Sequence, residues 1–129
     1  MHEPYSFDYA VVRIVPRVER GEFLNAGVIL FCPTAAFLEA RVELPRARLL
    51  SMAPSIDCAL IESHLGAIPH LCHGGKDAGP IGELPQRARF HWLVAPRSTV
   101  IQMSPVHSGV DHDLRGTLDR LFEKLVASL

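Results

Sequence analysis

The run over residues 23–32, FLNAGVILFC, is apolar almost throughout, broken only by Asn25. Bounded by Glu19-Arg20-Gly21-Glu22 before it and Pro33-Thr34 after it, such a run reads as a central strand. Its neighbours support the reading. Residues 7–17 are rich in β-branched and aromatic side chains (Tyr9, Val11, Val12, Ile14, Val15), with Arg13 interrupting the side shared by Val11 and Val15. Gly21 can take the positive φ that a hairpin loop needs. Residues 37–44 then alternate, Leu38, Ala40, Val42 and Leu44 against Glu39, Arg41 and Glu43, as in an antiparallel strand with one wet side. The first 44 residues therefore predict a three-stranded meander.

Helical signals follow. Pro45 opens a short helix over residues 46–52. A longer one starts at Pro54-Ser55, with Ser55 as cap and Ile56, Leu60, Ile61 and Leu65 at helical spacing, and ends or kinks at Gly66 or Pro69. Residues 74–85 read as a loop, 87–94 as one or two helical turns stopped by Pro96, 99–103 as a fourth strand and 104–113 as another loop. In the last segment Leu114, Leu118, Leu121, Phe122, Leu125, Val126 and Leu129 form one stripe, with Asp113 or Asp111 to cap it. The fold class expected is α+β: an antiparallel sheet of the meander plus a later strand, packed with about three helices, the last one amphipathic.

At 129 residues the chain has room for one core, so a single domain over 1–129 is expected. A hydrophobic share of 48% beside 21% charged residues excludes a disordered chain. The net charge of −1 makes nucleic acid an unfavourable partner. Nothing approaches eighteen consecutive apolar residues, so no membrane span is expected, and Glu3 and Pro4 do not suit a secretory signal. Cys32, Cys58 and Cys72 then read as reduced, partly buried thiols of a cytoplasmic protein.

Several constellations invite chemistry. His64, His70, Cys72 and His73, with Cys58 upstream, contain metal-ligand types but neither a Cys-x-x-Cys nor a His-x-x-x-His pair, so no metal and no cofactor is expected there. His107, Asp111, His112 and Asp113 form a second cluster, in which both aspartates suit the start of the last helix. Ser51, Ser98, Ser104 and Ser108 lack a Gly-x-Ser-x-Gly elbow. Gly74-Gly75-Lys76 lacks the spacing and the Ser/Thr of a phosphate loop. The densest polar concentration runs from Arg87 to Ser108, where arginine forks can grip carboxylate or phosphate and Trp92 can stack a ring or a guanidinium. The plain alternative is a solvated basic turn whose tryptophan anchors the core.

Three segments, YAVVRIVPR from Tyr9, GEFLNAGVILF from Gly21 and RFHWLVAPRST from Arg89, occur with Gln102, Ser104-Pro105-Val106-His107 and Gly109. Together they resemble a bacterial family catalogued as domain of unknown function 3037, over nearly the whole chain. The resemblance implies a partner or regulator of a kinase-like protein of the persistence-toxin type, because members are often encoded beside such proteins. It assigns no catalytic residues. The positions to single out are Arg13, Arg17, Asn25, Arg89, His91, Trp92, Arg97, Ser98, Gln102 and His107, polar or aromatic groups on or beside the most apolar strands. Two functions follow as expectations: an accessory module that binds a protein partner, or an anion- or phosphate-handling enzyme or ligand sensor using residues 89–107, with Arg89 and Arg97 on the anion and His107 as acid–base.

Overall fold

A computed structural model describes residues 3–127. Strands β1 (Tyr5–Ile14), β2 (Leu24–Cys32) and β3 (Phe37–Val42) form the expected antiparallel meander. Helices α1 (Arg46–Met52) and α2 (Cys58–His73) follow, then a 3₁₀ turn (Lys76–Ala78), the four-residue α3 (Gly79–Gly82) and α4 (Gln86–Val94). Strands β4 (Ile101–Met103) and β5 (His107–Asp111) lead into α5 (Leu114–Phe122), which widens into a π-helical turn over Glu123–Ala127. Among the described residues this makes a 5-stranded sheet and five α-helices, an α+β fold with more helices than the sequence predicted.

The path across the sheet is β3-β2-β1-β4, and β5 also pairs β1. β1 is long enough to serve both: Val12, Arg13 and Ile14 face β4, while residues 5–9 face β5. Between the two short strands the register slips by one residue. Ser104 repairs the ladder at that point, its N–H donating to Val11 O at 2.9 Å and its Oγ accepting the Val11 N–H at 2.8 Å. The loop expected over residues 104–113 is thus a strand for half its length. His107-Ser108-Gly109-Val110-Asp111 shows no apolar alternation. The backbone groups along the outer side of β1 make it a strand, and a side chain at Gly109 would strike the Phe7 ring at 2.6 Å.

Both faces of the sheet are covered. Val12, Ile14, Ile29, Phe31 and Leu38 pack under α1, α2 and α4 in one core. Phe7, Val28, Leu30 and Cys32 pack against Leu114, Leu118, Phe122 and Val126 in the other. Two cores explain why β2 is apolar on both sides. They also correct the wet side expected for β3: Arg41 lies 4.1 Å from the Phe122 ring centroid and pairs with Asp119, and Glu39 pairs with Arg115, so α5 roofs that side through charged residues.

Helix α2 departs from its predicted bounds at each end. Asp57, not Ser55, caps it, accepting the Leu60 N–H at 3.1 Å. The helix continues through Gly66 and Pro69 to His73. A helical proline costs about 3 kcal/mol, but burial of an aliphatic side chain contributes about 1.5–3 kcal/mol, and Ile61, Leu65, Ile68 and Cys72 all face the core. At the C-terminus Asp113 caps α5 by accepting the Gly116 N–H at 3.0 Å. Leu129 of the predicted stripe lies outside the described residues. No helix among the described residues is long and apolar enough to cross a membrane.

Candidate functional site

The ten residues singled out from the sequence occupy separate places in the fold. Trp92, Arg97 and Ser98 lie at the end of α4, where it meets α2 and β4 around an open groove of about 450 Å³. Leu60, Ile68, Trp92, Val100, Ile101 and Met103 line it, with His64 and Arg97 as polar members of the wall. Leu60 is 53% exposed, Trp92 41% and Val100 36%, an unusual concentration of large apolar side chains at the surface. Helix α2 supplies the groove through a second stripe, Leu60, His64, Ala67 and Leu71, beside the buried stripe of Ile61, Leu65, Ile68 and Cys72.

Arg97 does not hold its fork open to solvent. Its guanidinium donates to the carbonyls of Leu93 (3.1 Å), Ala95 (3.3 Å) and Trp92 (2.6 Å), and sits 4.3 Å from the Trp92 ring centroid. It thereby closes the last turn of α4 and fixes the indole at the mouth of the groove. His91 and Ser98 are exposed beside it.

Arg13, Asn25, Gln102 and His107 lie on the opposite face of the sheet. Arg13 is cross-strand from both Asn25 and Gln102, and its guanidinium covers the Phe23 ring at 4.1 Å. Asn25 Nδ2 donates to Leu125 O at 3.0 Å, tying β2 to the π-helical turn. Gln102 Nε2 donates to Thr99 O at 2.9 Å, and the His107 ring lies 5.3 Å from that of Tyr9. The one polar residue of the apolar run is therefore a clasp for the C-terminal helix.

Arg89 ties α4 to α2, donating to Leu84 O at 2.6 Å and Cys72 O at 3.3 Å, with its guanidinium packed on Gly74. Arg17 is exposed in the turn after β1, beside a small hollow with Arg20 and Glu22. The histidine–cysteine cluster comes apart as well. Cys58 and Cys72 point into the core, whereas His64, His70 and His73 are exposed. Burial pushes the Cys72 thiol up to about 12, against the pull of Arg89, so it stays protonated and is no nucleophile at neutral pH. In the second cluster the Asp113 N–H, bonded at 3.0 Å, holds the Asp111 carboxyl below the ordinary carboxylate range, and Arg120 pairs with it at 2.8 Å. Ser108 Oγ donates to Asp8 at 2.7 Å. Gly74 ends α2 with its N–H on His70 O, at a φ of 78° open to glycine.

The sequence places Leu60 with Ile61 at helical spacing, and nothing in it singles out Ile68, Val100 and Met103 as lining of a groove. Ile61, Leu65, Ile68 and Cys72 continue at the spacing that faces the core, and Leu60, about 100° round the helix from Ile61, falls at the edge of that stripe and meets the groove.

No curated protein and no solved structure matches the chain. A family's sequence profile does match, and it spans residues 9–126, from the middle of β1 to the π-helical turn. The groove and all of both cores but Phe7 at the start of β1 fall within that span, and the chain belongs to the family described as protein of unknown function DUF3037.

Proposed function

We propose that the chain is a protein-interaction domain that receives an apolar helical segment of a partner in the groove between α2, α4 and β4. The supporting observation is the exposure of Leu60, Trp92 and Val100 around one concave, apolar site. An amphipathic helix buries its apolar face in such a groove through a few anchors, and tryptophan with arginine is the pair most enriched where binding energy concentrates. The family resemblance supplies the first partner to test, a kinase-like protein of the kind often encoded beside members of the family. The alternative, an anion-handling enzyme or sensor, draws less support, because Arg97 is engaged by carbonyls and His107 lies across the sheet from it.

Calorimetric titration with such a kinase-like protein tests this reading. Leu60→Asp and Trp92→Ala should each weaken binding by roughly tenfold or more while the far-UV spectrum stays unchanged. Binding that ignores both variants, or no binding by the wild type, overturns it.

A further inference from the structure

The two edges of the sheet are not alike. On one side Pro105, which has no N–H, and a one-residue slip break the line between β4 and β5. On the other side β3 is regular for six residues and ends the sheet. The Glu43 N–H donates to Ala26 O at 2.8 Å, which sets the phase of the β2–β3 ladder. Residues 37, 39 and 41 point their backbone groups at β2, and Leu38, Ala40 and Val42 point theirs outward.

Space is available along that edge. A hollow of about 490 Å³ adjoins Ala36 to Ala40, and another of about 330 Å³ adjoins Val42 and Leu44. The α2 stripe beside them is Glu62, Gly66, Pro69 and His73, low in profile at its centre, where nothing lies within 4 Å of a side chain built at Gly66.

We infer that β3 pairs with β3 of a second copy of this chain, antiparallel about a two-fold axis at Ala40, making one continuous sheet across a homodimer. The sequence of the strand is self-complementary in that register. Ala40 meets Ala40, Leu38 meets Val42, and all three have the outward backbone groups that the pairing requires. On the other face Glu39 falls opposite Arg41 twice, an opposite-charge cross-strand pair that extends the ion pairs Glu39 makes with Arg115 and Arg41 makes with Asp119. A shift of two residues either way sets Glu39 against Glu39 or Arg41 against Arg41, so the charges select one register. The interface is isologous and closes on itself. It lies apart from the groove between α2, α4 and β4 and does not depend on it.

Sedimentation equilibrium of the full chain across a concentration series tests the inference. The wild type should form a monomer–dimer equilibrium, and the Ala40 and Leu38 amides should gain exchange protection as concentration rises. Ala40→Pro removes an outward N–H and leaves the β2 ladder intact, so it should be folded and monomeric. Glu39→Lys and Arg41→Glu place like charges opposite each other, so each should be monomeric alone. Mixed in equal amounts they regain both cross-strand pairs and should form a heterodimer. A wild type monomeric at every concentration overturns the inference. So does a dimeric Ala40→Pro, or, should that variant fail to fold, a mixture that remains monomeric.

Discussion

The hydroxyl of Ser104 accepts the amide of Val11 at 2.8 Å, doing with a side chain what a strand ordinarily does with a carbonyl, and donates to Pro105 O at 2.8 Å. Both residues are buried. Ser104→Ala would leave the Val11 N–H without a partner, which costs about 1–3 kcal/mol. The midpoint of urea unfolding should fall accordingly with little change in slope. An unchanged midpoint would mean that water replaces the hydroxyl.

Arg97 is the last brace of α4. With three carbonyls and an indole as partners, Arg97→Ala should lower stability by roughly 1 kcal/mol, the scale of a lost cap. The chain has a single tryptophan, so fluorescence reads the event directly. Trp92 emission should shift to the red as the ring loses its guanidinium cover. Arg97→Lys should restore charge without the fork and recover part of the stability.

Arg89 and Gly74 make a matched pair. A side chain at Gly74 would lie 2.8 Å from Arg89 Cζ, at a φ of +78° that other residues rarely adopt. Gly74→Ala should therefore destabilise by about 1–3 kcal/mol. Arg89→Met frees space but leaves the Leu84 and Cys72 carbonyls unbonded, so it should destabilise as well. The double variant should cost less than the sum, which a double-mutant cycle by chemical denaturation measures.

Cys72 makes the fold sensitive to alkali. Its thiol ordinarily titrates at 9.0 and is held at about 12 by burial. Below pH 9 both folded and unfolded chains keep the proton. Above it the unfolded chain loses the proton first, so stability falls as pH rises from 9 to 12, by up to about 1.4 kcal/mol per pH unit. The Cys72→Ala variant should lack this component of the slope. In the native protein Cys72 should also resist thiol reagents at neutral pH and react once unfolded; rapid native labelling would contradict the burial.

The meander and the C-terminal helix were legible because their cues are local: the apolar run with Asn25, the alternation after Phe37, and the stripe from Leu114 to Val126. What escaped the sequence was decided by partners distant along the chain. Strand β5 exists because β1 is long enough to hold two short strands, and nothing in His107-Ser108-Gly109-Val110-Asp111 announces it. Helix α2 ignores Pro69 because five side chains on its inner face are buried. The candidate residues were chosen for polarity beside apolar strands. Alternation along β1 and β4 then sent Arg13 and Gln102 to one face, while Trp92 and Arg97, carried by the helix layer, came to lie on the other.

The long first strand has a consequence for the order in which the protein is made. Residues 5–14 leave the ribosome before β2 and can pair with it as soon as it emerges, yet their outer side waits for residues 101–111, about three-quarters of the chain length later. Until then the nascent chain carries an open edge along β1, a hazard that late-arriving, non-local pairing creates and that slows folding. Those short C-terminal strands complete the sheet by closing an interval during which the growing chain is most prone to aggregate.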